Sequence, residues 1–199
     1  EASVNDKDKR PSVRVSDSFI KVPSFAPRMI TARDKTAFDL YLLLLRLYDG
    51  NSQAKVDIDF KSISQALGMD KKYNYTSAYD ILTGALVRLD KRYNLIRRVT
   101  QHPKPPYCLL LNYPSGQPYT PAQEGYCAVP DEYWQYGWNK RLSFPEKYFF
   151  LISLRKSAVN RGRVWSDYRQ GIMEDFHLNR STVIRGIMGL RKLNIIEVE

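Results

Sequence analysis

The stretch that decides the fold is Phe176-His-Leu-Asn-Arg-Ser-Thr-Val-Ile-Arg-Gly-Ile-Met-Gly-Leu190. Its short connector, His177-Leu178-Asn179, predicts the end of one helix. The following Arg180-Ser181-Thr182 opens a second helix, with small hydroxyl groups that can cap free amides. Apolar residues then recur at helical spacing and predict a face that packs on a core: Val183, Ile187 and Leu190. The pattern is typical of the turn and second helix of a helix-turn-helix.

The opposite face of this helix is basic and hydroxylated. Four side chains are expected to reach phosphates and base edges: Arg180, Ser181, Thr182 and Arg185. A helix that is apolar behind and polar in front suits a reader of the DNA major groove. The two arginines lie roughly 140° apart around the helix, so one can hold a phosphate while the other reads a base. The alternative is that both arginines are merely solvated.

The charge balance favours an anionic partner. The chain of 199 residues holds 31 Lys and Arg against 21 Asp and Glu, a net charge of +10, and both halves are net positive. Nucleic acid is the first expectation and an acidic membrane surface the second. The plain alternative is a basic protein that its charge keeps soluble. The longest apolar run, 40–45, is too short to span a bilayer, so no membrane-spanning segment is predicted, and the expected partner is DNA and not a membrane.

The sequence predicts no enzyme. Two cysteines (Cys108, Cys127) and two histidines (His102, His177) make neither a disulfide framework nor a zinc site, and sparse thiols suit the cytoplasm. The phosphate-binding Gly-x-x-x-x-Gly-Lys-Ser/Thr is absent. His177-Leu-Asn-Arg180 matches the His-x-x-Arg of tyrosine recombinases, but no tyrosine follows Tyr168 to act as nucleophile. No catalytic residue, metal, cofactor or small-molecule substrate is therefore expected.

A pattern of three helices occurs twice. Aromatic-led apolar helices begin at Tyr41 and Tyr148, and a short amphipathic segment follows each, at 60–68 and 168–176. The third helices, 77–91 and 181–192, end in matching junctions. These junctions are Leu89…Tyr93-Asn-Leu-Ile96 and Leu190…Leu193-Asn-Ile-Ile196. Asn94 and Asn194 are expected to adopt the left-handed conformation that ends a helix.

A basic β-hairpin is predicted after the first junction. The strand 95–100 leads through the proline-rich loop 101–106 into the returning strand 107–112. Arg97, Arg98 and Lys104, with His102, are expected to track a phosphate backbone. Three helices followed by such a hairpin are the winged-helix layout. The second copy runs one strand into its hairpin at 195–199, so most of its wing is expected to be missing.

The predicted fold is therefore mainly α with small β wings, an α+β class with two tandem winged-helix domains. The domains are assigned to 31–112 and 140–199. An extended, mobile arm over 1–30 and an aromatic, proline-rich linker over 113–139 complete the chain. The aromatic residues of the linker predict packing on the second domain or between the domains. The sharper alternative is a platform on which single-stranded bases stack. The residues behind that alternative are Tyr133, Trp134, Tyr136 and Trp138.

The first copy has a longer turn before its third helix. Its outward polar residues are expected to contact DNA, the two lysines at phosphates. A solvated loop is the alternative. The predicted contacts are Lys71, Lys72, Asn74, Thr76, Ser77 and Tyr79.

Over residues 35–112 and 140–199 the chain resembles the tandem winged-helix replication initiators of plasmids. The resemblance rests on the order of the segments and on the two helix-to-wing junctions, 89–96 and 190–196. It implies binding to repeated origin sites, with one domain that commonly dimerises. The start of the second reading helix, 179–183, is equally similar to that of many bacterial transcription regulators.

Together these patterns predict a cytoplasmic, sequence-specific binder of double-stranded DNA that acts in replication initiation on a plasmid or mobile element. A transcriptional regulator is the first alternative. A winged-helix module for protein–protein contact, including a homodimer, is the alternative of a different class.

Overall fold

The computed structural model describes residues 12–21, 25–51, 53–100, 105–160 and 169–197. Helices dominate this part of the chain, with two small antiparallel sheets, which confirms the α+β class. The helix Tyr75–Val87 continues at its end as a π-helical turn, Arg88–Arg92. The elements are β1 (Ser12–Ser16), α1 (Asp17–Ile20), α2 (Phe25–Thr31), α3 (Lys35–Leu47), β2 (Lys55–Asp57), α4 (Phe60–Ala66), α5 (Tyr75–Val87), β3 (Ile96–Val99), β4 (Tyr107–Leu110), β5 (Tyr126–Pro130), α6 (Glu132–Gln135), α7 (Trp138–Arg141), α8 (Phe144–Val159), α9 (Arg169–Asp175) and α10 (Arg180–Lys192).

The first half of the chain sets α3, α4 and α5 beside a three-stranded sheet. The predicted hairpin is confirmed, since β3 pairs antiparallel with β4, and Ile96 lies opposite Leu110. The sequence pattern missed β2, which is only three residues long and pairs with the other edge of β4. The resulting strand order is β2-β4-β3. Because α5 contacts β3 as well as α3 and α4, the sheet fixes the position of the third helix.

Asp34 ties the start of α3 to the end of α5. Its carboxylate caps α3 by accepting from the Ala37 amide and receives two hydrogen bonds from Arg88, at 2.9 and 3.0 Å. The Tyr93 hydroxyl donates a further hydrogen bond at 3.1 Å. Burial by itself would raise the pKa of Asp34, but Arg88, the Ala37 amide and the Tyr93 hydroxyl together outweigh burial and lower this pKa. The charged carboxylate is therefore the form that holds the two helices together.

The second half repeats the helical geometry of the first. α4 and α9 have seven residues each, and α5 and α10 have thirteen. Gly68 and His177 end α4 and α9 with positive φ angles of 69° and 50°. Asn94 and Asn194 have φ angles of 49° and 54°, which confirms their predicted left-handed conformation. The strand expected at 195–199 is not formed in its described residues 195–197, because no described segment pairs with them.

The arm predicted over 1–30 is wrong for its described residues, because they are folded into the core. β1 pairs along its whole length with β5, and β5 packs on α8. Val15 and Ile20 are fully buried, and the Tyr148 hydroxyl donates to the Ile20 carbonyl at 2.7 Å. A polar, serine-rich composition predicted mobility, but a distant strand supplies the backbone partners that this segment needs.

The linker predicted over 113–139 is correspondingly too long. Residues 126–139 form β5, α6 and α7, so only the preceding part is irregular, apart from an isolated bridge at Pro118. Tyr133 is 2% exposed and stacks on Phe150 with ring centroids 5.4 Å apart, and Trp134 is also buried. The single-strand platform is therefore wrong for these two rings. The predicted packing of the linker aromatics on the second half is confirmed for Tyr133.

The two halves share one hydrophobic core. Phe38 of α3 contacts Phe144 and Tyr148 of α8, with ring centroids 5.0 and 6.5 Å apart. Beside them the fully buried Lys147 bonds to Asp39 at 2.5 Å and also donates to the Asn139 carbonyl. Burial lowers the pKa of Lys147 to about 8, and Asp39 only partly offsets the effect. The halves thus contact each other through side chains near the beginnings of α3 and α8.

Candidate nucleic-acid interface

Asn179 is the N-cap residue of α10, and the hydroxyl residues that follow it do not cap the helix. The Asn179 side-chain oxygen accepts from the Thr182 amide at 2.8 Å and from the Ser181 hydroxyl at 2.8 Å. The expectation that Ser181 and Thr182 cap the helix is therefore wrong, because the capping side chain is that of Asn179, immediately before the first helical residue, Arg180. Asn74 caps α5 in the same way, accepting from the Ser77 amide at 2.8 Å.

The buried face of α10 packs on the beginning of α8. Val183 and Leu190 are buried and Ile187 is half-buried against the core, which confirms the predicted apolar face. Gly186 permits close approach, since a Cβ built there would lie 2.6 Å from the Phe149 Cβ. Thr182 is only 8% exposed and lies on this same face. This burial is inconsistent with the predicted contact between Thr182 and DNA.

The outward face of α10 carries positive charge without compensation from its own helix. Its four basic residues are exposed, and the segment Arg180–Lys192 contains no Asp or Glu. The Arg185 guanidinium folds back along the helix, where it donates to the Ser181 carbonyl at 3.3 Å and lies 3.5 Å from the Ser181 hydroxyl. The predicted residues that share this face are Arg180, Ser181 and Arg185, and the basic residues beyond them are Arg191 and Lys192.

A shallow groove separates this face from α9. It has a volume of about 420 Å³ and is lined by Gln170, Met173, Glu174 and Arg180. The Gln170 side chain donates to Glu174 at 3.0 Å, so the α9 side of the groove is acidic. Among the residues that line the groove, Arg180 of α10 carries the positive charge and Glu174 of α9 carries the negative charge.

The first half presents a different surface at the equivalent place. Of the predicted contacts, five are exposed and Ser77 is half-buried. The exposed ones are Lys71, Lys72, Asn74, Thr76 and Tyr79. The oxygen of Asn74 is occupied as the α5 cap, and the Lys72 ammonium lies 5.2 Å from the centre of the Tyr73 ring. Their contact with DNA stays a prediction.

Aromatic rings dominate the outward face of α5. The ring of Phe60 on α4 lies 4.4 Å from the ring of Tyr79, measured between centroids. On the other side of Tyr79, the centroid of the Tyr75 ring is 6.5 Å away. Tyr75 is 64% exposed and Tyr79 is 41% exposed. The segment Tyr75–Val87 contains no Lys or Arg. The sequence analysis did not select Phe60 or Tyr75. Tyr75 lies four residues before Tyr79 on the same helix, a spacing that the sequence shows, whereas the contact of Phe60 with Tyr79 depends on how α4 packs on α5.

The arginines of the predicted wing lie on opposite faces of its sheet. Arg97 pairs with Leu109 and is exposed, whereas Arg98 pairs with the fully buried Cys108 and is half-buried. Neighbouring residues of a strand alternate between faces, so the two arginines cannot line one backbone track. Lys104 and His102 lie outside the described residues.

None of the helices in the described part of the chain combines the length and apolar character needed to cross a membrane. In the same part no group of three or more His, Cys, Asp or Glu residues is arranged to hold a metal ion. Comparison with known proteins finds no matching family model, no matching curated protein and no matching solved structure.

Proposed function

We propose that this chain is a sequence-specific duplex DNA-binding protein that places α10 in a major groove. The observation that carries the proposal is the outward face of α10, with four exposed basic residues and no acidic residue on the helix. Phosphates flank the major groove on both sides, and a helix fits between them. The close packing of Gly186 against α8 supports the proposal, because a rigidly held helix keeps its side chains in register with the bases.

The proposed architecture is two tandem winged helices. In the first half the order α3-β2-α4-α5-β3-β4, with sheet order β2-β4-β3, supports this assignment. In the second half the support is the matched helix lengths and turns of α9 and α10. The biological setting we propose is replication initiation on a plasmid or mobile element in the cytoplasm, and transcriptional regulation is the alternative. The proposed action is binding, without catalysis.

The test is duplex binding measured against salt. We expect affinity for a random-sequence duplex to fall linearly on a log–log plot against salt, because each phosphate that the protein neutralises releases a counterion. Arg191→Ala or Lys192→Ala is expected to reduce this slope by about 1, as for the loss of one phosphate contact. Arg141→Ala, an exposed arginine on α7, is the matched control and is expected to leave the slope unchanged. Absence of any complex at low salt would refute the proposal.

A second experiment separates recognition of the DNA sequence from nonspecific electrostatic attraction to the phosphates. Arg185→Ala is expected to relax the sequence preference obtained by selection from a random pool, because a bidentate arginine–guanine contact discriminates by about 1–3 kcal/mol. Lys72→Ala is expected to weaken all sequences alike. If the two variants behave identically, α10 is not the reading helix.

A second candidate function applies to the first half alone. The neutral aromatic row Phe60–Tyr79–Tyr75 favours contact with protein over contact with phosphate, since tyrosines are enriched in protein interfaces. We propose a second copy of the chain as the partner. Light scattering is expected to give a mass that rises with concentration, and Tyr75→Asp is expected to abolish the rise. A constant monomer mass would rule this out.

A further inference from the structure

An apolar strip runs along the middle of the basic face of α10. Met188 is 65% exposed and Ile184 is half-buried. Because they are four residues apart, their side chains are neighbours along the helix. At 100° per residue, Arg180 and Arg191 lie on one side of the strip, and Arg185 and Lys192 lie on the other.

The core does not account for this strip. Met188 points roughly 160° away from Gly186, whose side of the helix faces α8. Because Met188 is mostly exposed, the described fold buries little of its apolar surface, and this surface can contact a partner. The four flanking cations, with no acidic residue on the helix, make the partner polyanionic.

We propose that Met188, with Ile184 beside it, reads thymine methyl groups in the major groove. This inference rests on the proposed function. When Arg191 and Lys192, on opposite sides of the strip, contact the two phosphate backbones, the centre of the face lies against the base edges. The thymine C5-methyl group is the apolar feature that the major groove presents there, and apolar side chains recognise it by contact. A flexible thioether adapts its shape to such a methyl group.

The experiment uses DNA sites selected from a random duplex pool by the full chain. Each thymine of the selected site is replaced in turn by deoxyuridine, which removes only the methyl group and keeps the base-pairing edge. For the unmodified protein we expect one or two positions at which affinity falls about three- to fivefold, the equivalent of one methyl group returned to water. For Met188→Ala we expect deoxyuridine at those positions to have no effect.

Val159→Ala is the matched control, since Val159 is a 61% exposed apolar residue on α8. It is expected to keep the deoxyuridine effect. Met188→Ala removes an exposed side chain, and an unchanged melting temperature confirms that its fold is intact. If the unmodified protein binds a selected site but no deoxyuridine position weakens binding, or if Met188→Ala keeps the same effect, the inference is wrong. If no duplex binds at low salt, the proposed function itself has failed.

Discussion

Replacing Gly186 by alanine tests the packing that holds α10 in place. The added Cβ would lie 2.6 Å from the Phe149 Cβ and 3.1 Å from the Pro145 carbonyl oxygen. Both atoms belong to or adjoin the backbone of α8, so neither can move away by a rotamer change. Overpacking of this kind costs about 1–3 kcal/mol. The better helix propensity of alanine returns about 1 kcal/mol.

Because one of these contacts is shorter than 3.0 Å and the other is to a backbone atom, we take the upper part of that range, about 2–3 kcal/mol, and expect Gly186→Ala to lower the free energy of unfolding by about 1–2 kcal/mol after the gain in helix propensity. For a chain of this size, that corresponds to a fall in melting temperature of about 2–8 °C. Urea denaturation followed by circular dichroism measures the midpoint, and an unchanged slope shows that the denatured state is the same.

Gly84 provides the matched control in α5. A Cβ built at Gly84 meets only the tip of the Arg88 guanidinium, at 3.3 Å, and that nitrogen does not contact Asp34. Gly84→Ala is therefore expected to be neutral or to stabilise the protein by up to about 1 kcal/mol. If Gly186→Ala is as stable as the unmodified protein, α10 does not pack on α8 as described, and the rigid placement of the basic face loses its support.

Two further predictions concern Lys147 and Asn179. Burial lowers the pKa of Lys147 to about 8, so between pH 8 and 10.5 the folded protein releases this proton while the unfolded chain still holds it, and stability relative to Lys147→Met rises with pH. The gain is about 3 kcal/mol over that window. Titratable groups that the unmodified protein and Lys147→Met share cancel when their free energies of unfolding are subtracted. A difference that stays constant from pH 7 to 10.5 would contradict the lowered pKa of Lys147. Asn179→Ala removes the α10 cap and is expected to cost about 1 kcal/mol in urea denaturation. It is also expected to weaken duplex binding and to change the sequence preference. Asn74→Ala removes the equivalent cap of α5, and it is expected to lower stability without changing the sequence preference of α10. Equal sequence selectivity changes in the two variants would argue against α10 as the reading helix.

Local sequence patterns predicted the long helices and their ends. The apolar spacing of α10 identified its buried face, and Asn94 and Asn194 indicated where left-handed residues end the third helices. These features depend on neighbours within one or two helical turns, which is the range over which periodicity and capping act. The hairpin β3–β4 was also predictable, because both strands adjoin a proline-rich turn.

The candidate site was only partly predictable for the same reason. The basic residues of α10 follow from its periodicity, but Thr182 was placed on the wrong face. The aromatic row on the first half joins Phe60 of α4 to Tyr79 of α5, so it exists only after the two helices have packed. Arg97 and Arg98 are neighbours in sequence, yet their pairing in the sheet sends them to opposite sides.

By itself the sequence determined the mainly helical class, the repeated helical pattern and the net charge of +10, because each follows from composition or short-range spacing. Only the tertiary structure decided that β1 pairs with β5, more than a hundred positions away, and that Lys147 is buried between the halves. Backbone groups and charges must find partners when they leave water, wherever in the chain those partners lie. For this reason parts of the predicted arm (1–30) and of the predicted linker (113–139) pair with each other and belong to the core.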